Sequence, residues 1–307
     1  VISKPSYLVA CSKVRKNTTH TCGHRLGWRC PHCGEKPKPE GRSKTMLYST
    51  PFITVYCCVL AAVLGLCMGS FLNCLAWRIV HGESALKGRS HCDVCGHVLG
   101  PRDLVPVVSY LASKGKCRYC GAKLSVRHLL AELATGATYV LVLLKYDISL
   151  QALQWVLYGS VLLLCAFADL EGYIIPDGAL ILGALVRVAY LAVTRASGRA
   201  WADALLGGFA IGGGLLAVVL AYEKIKKVEA MGGGDLKLLF VTGLYLGLVG
   251  NLLCLFAACL LGIVFGLIAT KGENQTPFPW GPSICAAGIL VALYGEGLAA
   301  AYLGLFH

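Results

Sequence analysis

The chain has 307 residues, 56% of them hydrophobic and only 14% charged, with a mean hydropathy of +0.66. Soluble domains carry about a quarter charged residues, so this composition excludes an ordinary soluble enzyme and describes an all-α integral membrane protein whose main partner is the lipid bilayer. The formal net charge of +12 does not indicate nucleic acid as a partner, because the cations sit in two blocks and a few short loops. No nucleic-acid-binding motif accompanies them, and basic loops in a membrane protein report its topology.

Residues 1–45 hold ten of the 28 Lys and Arg, against two acids. They also contain Cys22, Cys30 and Cys33 with His20, His24 and His32, and Cys30–Gly34 reads as half a metal knuckle. The first Met is Met46, just ahead of the first apolar run. Residues 1–45 are therefore expected to be an upstream extension from a misplaced start, a non-native segment and not part of the working protein. The rival reading is a basic cytoplasmic head. The segment lacks the long apolar stretch of a signal peptide.

Apolar runs of roughly 17 to 25 residues are the signal for spanning helices. They occur near 51–77, 128–146, 150–168, 177–194, 202–222, 236–249, 250–270 and 283–305, which predicts about eight transmembrane helices. The run at 236–249 is the shortest and leads almost directly into the next. The stretch 78–127 carries nine Lys or Arg against three acids. By the positive-inside rule it is cytoplasmic. Counting from it places 169–177, 223–235 and 271–282 on the same side and both chain ends on the other.

The first constellation lies in that basic loop. Cys92-x-x-Cys95 and Cys117-x-x-Cys120 are separated by 21 residues, and each pair is followed by Gly, Gly96 and Gly121. Two such knuckles can aim four thiolates at one tetrahedral zinc ion. A disulfide pairing does not suit a reducing cytoplasm. Four thiolates leave no open position for a reaction, so the zinc is expected to be structural, supplying folding energy that a loop of this size cannot obtain from burial.

The second constellation is a pair of acids at predicted membrane boundaries. Asp169 lies in Ala168-Asp169-Leu170-Glu171-Gly172-Tyr173-Ile174-Ile175-Pro176-Asp177, and Asp235 in Gly232-Gly233-Gly234-Asp235-Leu236-Lys237. Ionisable groups at membrane depth are costly, which makes them candidates for function. Side by side on one face, two carboxylates can activate a water and protonate a leaving amide, as in aspartic proteases. Gly232 and Gly234 would let a substrate backbone approach Asp235. Pro176 interrupts the helical run after Asp169. Asp177 reads either as the N-cap of the next span or as a participant, and Lys237 either as a counter-ion or as an interfacial anchor.

With these motifs in place, the chain from Met46 onward resembles the bacterial type IV prepilin leader peptidases, which are GxGD-type intramembrane aspartic proteases. The resemblance rests on Gly69-Ser70-Phe71-Leu72-Asn73, the four-Cys loop with Asp103-Leu104-Val105-Pro106 and Gly115-Lys116-Cys117-Arg118, the segment Asp169 to Ile175-Pro176-Asp177, Gly232-Gly233-Gly234-Asp235, and Pro279 to Gly281-Pro282. Two stretches depart from the family pattern: Arg78-Ile79-Val80-His81 lacks a Pro after the Arg, and Arg127-His128-Leu129 stands for Arg-Tyr-Pro. The resemblance implies cleavage of the basic leader of prepilins and pseudopilins after a Gly at the cytoplasmic face of the bacterial inner membrane, with Asp169 and Asp235 as the catalytic pair. It further implies N-methylation of the new N-terminus, with S-adenosylmethionine as donor. On this reading the chain divides into the extension 1–45, a first transmembrane helix 46–77, a zinc-binding and methyltransferase loop 78–127, and a peptidase domain 128–307. Glu132 is a candidate for the donor site, or else a buried carboxylate paired with a neighbouring helix. Readings from other classes are a transporter whose ion path is lined by Asp169 and Asp235, with a regulatory zinc loop, and a zinc-dependent assembly factor without catalysis.

Overall fold

A computed structural model describes residues 47, 50–84, 88–92, 94–227, 232–269 and 279–304. The expectations for residues 1–45 lie outside them. The described chain is helical: α1 Pro51–Val80, a short α2 Val108–Ala112 in the Cys-bearing loop, α3 Val126–Tyr146, α4 Leu150–Gly172, α5 Asp177–Val193, α6 Gly198–Gly208, α7 Gly214–Lys226, α8 Gly233–Ala269 and α9 Gly281–Gly304. One π-helical turn, Phe209–Gly213, joins α6 to α7, so the two form one continuous apolar rod over Gly198–Lys226. Among the described residues, five helices are long and apolar enough to cross a membrane: Pro51–Val80, Val126–Tyr146, Leu150–Gly172, Gly198–Lys226 and Gly233–Leu267.

The centre of the bundle is α4. Tyr158 through Ala166 are all buried, and a helix that is apolar on every side belongs inside a bundle. α4 packs against α1, α3, α5 and α9. Its N-cap Ser149 accepts the Ala152 N–H at 3.0 Å, as an extended residue before a helix should.

Without water to drive association, helices in a membrane gain contact by placing small residues where they cross. α1 meets α3 at Gly65 and Gly69, one helical turn apart. A Cβ at Gly65 would lie 2.7 Å from the Gly136 Cα, and one at Gly69 2.8 Å from the Ala131 carbonyl.

The two predicted spans 236–249 and 250–270 are the two halves of α8, which breaks at Gly247 (φ 69°, ψ −175°). The chain turns back there, because the Asn251 Nδ2 donates to the Leu239 carbonyl at 3.1 Å and to Gly207 of α6 at 2.9 Å. Twelve residues of straight helix would separate Asn251 from Leu239 by roughly 18 Å. The break leaves backbone groups without helical partners, and charged side chains take them up. Arg187 of α5 donates through Nε to the Leu244 carbonyl at 2.9 Å and through Nη1 to Gln154 Oε1 at 3.0 Å. Asp203 of α6 accepts the Leu248 N–H at 3.4 Å. A cation thus meets the C-terminal end of the first half and an anion the N-terminal end of the second, as the helix dipoles require.

Replacing Gly69 by Leu is expected to force α1 away from α3, costing about 1–3 kcal/mol. Gly198→Ala, at a position with open space around it, should leave stability nearly unchanged. Thermal unfolding of the detergent-solubilised protein compares the two, and equal melting temperatures would remove the close crossing from the account.

Candidate active sites

Asp169 occupies the last turn of α4 and is buried. After it the helix stops: Tyr173 takes the left-handed conformation (φ 56°, ψ 32°), and its N–H returns to the Asp169 carbonyl at 2.9 Å. Ile174–Pro176 are irregular, and Pro176 is the N-cap of α5. Asp235 lies in the first turn of α8 and is half-buried.

Two contacts bring these segments together. Ile175 sits on Gly234, where a Cβ would lie 3.1 Å from the Ile175 Cβ. Asp177 and Lys237 then pair across the same seam, with Nζ at 2.8 and 3.0 Å from the two carboxylate oxygens. The Asp235 carboxylate lies within electrostatic reach of Asp169.

The roles expected of the supporting residues change accordingly. Asp177 is the first helical residue of α5 and not its N-cap, and no side chain caps that helix end. Its carboxylate is committed to Lys237, which fits the counter-ion reading for that lysine. Both groups are more than half exposed, so the pair contributes at most about 1 kcal/mol. Gly234 is a packing position under Ile175, whereas Gly232 is exposed, and among the described residues a Cβ there would meet the Asp235 carboxylate at 3.6 Å.

One residue of this site was not singled out from the sequence. The Gly281 N–H, at the start of α9, donates to Asp169 Oδ2 at 3.0 Å in a buried hydrogen bond. The first N–H groups of a helix have no partner within it, so α9 places a free donor on the carboxylate. A Cβ at residue 281 would come within 2.6 Å of that oxygen. The sequence signal was the Gly281-Pro282 pair opening the last apolar run.

The four loop cysteines come together as expected. Their sulfurs all lie within 4.8 Å of one another, with Cys92 and Cys120 Sγ 3.9 Å apart. The two knuckles repeat the same turn. Cys92 N donates to the His97 carbonyl at 3.0 Å and Gly96 N to Cys92 at 2.8 Å; Cys117 N donates to Ala122 at 2.7 Å and Gly121 N to Cys117 at 2.9 Å. Gly96 and Gly121 both have φ near +70° (69° and 72°), which glycine adopts without strain. A tetrahedral ion with bonds of about 2.3 Å sets its sulfurs about 3.8 Å apart, so the donor set and spacing fit a metal ion.

Asp103 ties the loop to the second knuckle. It accepts the Gly100 N–H at 3.1 Å and the Tyr119 hydroxyl at 3.0 Å, and pairs with Arg118 at 3.5 Å. These contacts, the Gly100 bond foremost, hold its carboxyl below the usual range. Glu132, in α3, is buried, and its Oε2 accepts the Val107 N–H at 2.7 Å. Of the two readings given for it, the paired carboxylate is altered in its partner, which is the loop backbone and not a neighbouring helix.

Comparison with known proteins places this arrangement. Residues 63–146 match the model described as the bacterial peptidase A24 N-terminal domain, and residues 156–267 match that of the type IV leader peptidase family. The chain is 32% identical to a prepilin leader peptidase/N-methyltransferase of Bacillus subtilis over 246 residues, covering 78% of this chain and 96% of that protein. It is 31% identical to the Stutzerimonas stutzeri protein of the same name over 290 residues, and 30% identical to that of Pseudomonas aeruginosa over 283, each covering 84% of this chain and 96% of the relative. No solved structure matches. The chain belongs to the type IV leader peptidase family and carries that family's bacterial N-terminal domain ahead of its peptidase domain.

Proposed function

We propose that this protein is a prepilin leader peptidase and N-methyltransferase: it cuts the basic leader from type IV prepilins and pseudopilins after a Gly, and methylates the new N-terminus. The observation that supports the peptidase half is the Ile175–Gly234 contact, which joins the segments that carry Asp169 and Asp235. One carboxylate takes a proton from a water as it attacks the scissile carbonyl, and the other gives a proton to the departing nitrogen. Neighbouring carboxylates titrate as a unit, so the two roles belong to the pair. The Gly281 N–H holds Asp169 in place through this cycle.

The eight predicted segments are all helical where described, and the reversal at Gly247 supports counting α8 as two passes. With that count the Cys-bearing loop, the ends of α4 and α8 that bear the aspartates, and the start of α9 share one side. The nine cations of 78–127 support reading that side as cytoplasmic, and the membrane as the bacterial inner membrane in this proposal. A basic leader could then meet the aspartates without crossing the bilayer. A transporter would hold its carboxylates near the midplane, and Asp169 and Asp235 stand instead at helix ends. The ion held by the four cysteines is zinc in this reading, a structural role that suits a closed thiolate site.

Asp169→Asn and Asp235→Asn are each expected to reduce cleavage of a short prepilin by about 10²-fold or more, read by mass spectrometry of membranes containing the protein. A variant that cuts at nearly the wild-type rate removes its residue from the pair.

Gly281→Ala pushes a methyl group against the Asp169 carboxylate. Cleavage should fall about tenfold to a hundredfold, while metal content and melting temperature stay close to wild type. Unchanged cleavage would leave the Gly281 bond without a catalytic role.

Replacing Cys92 and Cys117 together by Ser should abolish bound zinc, measured by plasma emission, and lower the yield of folded protein. Fully folded wild-type protein free of zinc would contradict the structural-metal assignment.

A further inference from the structure

The helix that carries Asp169 ends differently from its neighbours. α1 finishes on Arg78 and α7 on Lys224 and Lys226, the charge that a helix C-terminus favours. α4 finishes on two acids, Asp169 and Glu171, with no basic residue in its last turn. Asp169 belongs to the carboxylate pair. Glu171 stands two residues further on, and the peptidase reading leaves it without a task. A carboxylate at the negative end of a helix dipole is unfavourable, so a cation from outside α4 has to balance it.

That cation is Arg127, in the first turn of α3, whose Nη1 lies 3.4 Å from the Glu171 Oε2. The contact is loose. It joins one nitrogen to one oxygen, between side chains that are 64% and 32% exposed. The other pair on this stretch, Asp177 with Lys237, is tighter, with Nζ at 2.8 and 3.0 Å from both oxygens. Exposed pairs contribute at most about 1 kcal/mol, and of the two the Glu171 pair opens at the lower cost.

The backbone beneath Glu171 is held more firmly than its side chain. Gly172 is wedged against Val80 of α1, and the Tyr173 N–H returns to the Asp169 carbonyl at 2.9 Å. Glu171 therefore keeps a fixed place beside Asp169 while its carboxylate stays free to change partners.

Charge describes the partner it would take. The leader is basic, and so is the surface that it approaches, since 78–127 carries nine Lys or Arg against three acids. Like charges repel over about 8 Å at physiological ionic strength, so a basic segment needs a local acid where it is to be cut. Two helical residues set Glu171 and Asp169 about 5 Å apart at Cα, and an extended peptide advances roughly 3.3 Å per residue. A lysine or arginine a few residues before the scissile bond reaches Glu171 when that bond lies at Asp169.

We propose that Glu171 sets the preference for a basic leader: its carboxylate binds a leader cation beside the scissile bond, and Arg127 is the place-holder that this cation displaces. The proposal rests on the peptidase half of the function proposed above. Displaced, the Arg127 guanidinium turns to the solvent that already covers most of it. A segment without a cation leaves Arg127 in place and gains nothing from Glu171, so the pair discriminates by what it withholds as well as by what it offers.

The test uses full-length protein with its metal bound, in nanodiscs of zwitterionic lipid, so that lipid charge does not concentrate the peptide. Three short prepilins differ only in carrying Lys, Gln or Glu in the leader near the scissile Gly, and their cleavage is followed by mass spectrometry. The wild type should prefer them in that order, and the preference should shrink at 1 M salt, where the Debye length is about 3 Å. In Glu171→Gln the ratio of kcat/KM for the Lys leader over the Gln leader should fall about threefold to fivefold, through KM. Arg127→Gln should move the same ratio upward, because it removes the competitor. Glu171→Lys should reverse the order, so that the Glu leader becomes the better substrate. Glu83→Gln, an exposed acid beyond the end of α1, should leave the ratio at the wild-type value. A ratio that falls in Arg127→Gln as it does in Glu171→Gln would mean that the pair is only a brace, and overturns the proposal. The leader series on the wild type covers variants that fail to fold: equal cleavage of the Lys and Gln leaders there overturns it too. A wild-type protein that cuts none of the three overturns the peptidase reading itself, and the role of Glu171 with it.

Discussion

Two carboxylates from distant parts of a chain can share a task only if the backbones that carry them come into contact, and at a helix end in a membrane protein that contact has to be made by small groups. Here it is made by Ile175 on Gly234. Most of the other features of the site follow from that seam. The irregular residues after Tyr173 allow Ile175 to leave the α4 axis, and Pro176 starts α5 in a new direction. The Asp177–Lys237 pair spans the seam at its exposed edge. α9 then closes the remaining side with a backbone donor on Asp169.

The same division of labour holds at the Cys-bearing loop. It has few buried apolar side chains, and its order comes from backbone turns, from Asp103 and from the four clustered sulfurs. Its attachment to the helices is polar as well, through Glu132 of α3, which accepts the Val107 N–H, and Arg78 of α1, which donates to the Gly88 carbonyl. Polar ties are directional, so they fix the loop against α1 and α3 more definitely than a small apolar contact would. A loop held this way can keep a cleft open between itself and the helices.

Much of this was legible in the sequence, because the strongest signals were local. Apolar runs gave the helices, and fixed spacings gave the two knuckles and the two acidic motifs. What was less legible depended on contacts between distant segments. Asp177 beside Pro176 had the composition of a cap, yet a lysine sixty positions on in the chain takes its carboxylate. Glu132 read either as a donor-site residue or as a buried carboxylate paired with a neighbouring helix, and its backbone partner in a strained turn has no signature in residue type. Gly281 was visible as part of a motif, but that its N–H would meet Asp169 follows only from how α9 packs on α4. The run was divided between 249 and 250 from its length, but that the turn falls at Gly247 and is held by Asn251, Asp203 and Arg187 follows only from the packing of α5 and α6 on α8.

That reversal bears on how the protein is made. Between Lys237 and Lys271 the chain has no charged residue, so the turn at Gly247 offers the insertion machinery no charge by which to orient its two flanks. The instruction to fold back lies elsewhere, in Asp203 and Gly207 of α6 and Arg187 of α5, all of which precede α8 in the chain. Segments synthesised earlier therefore act as the template on which the later hairpin is bent. An error in α5 or α6 would reach Asp235 through the path of the helix that bears it, although neither helix contributes an atom to the carboxylate pair.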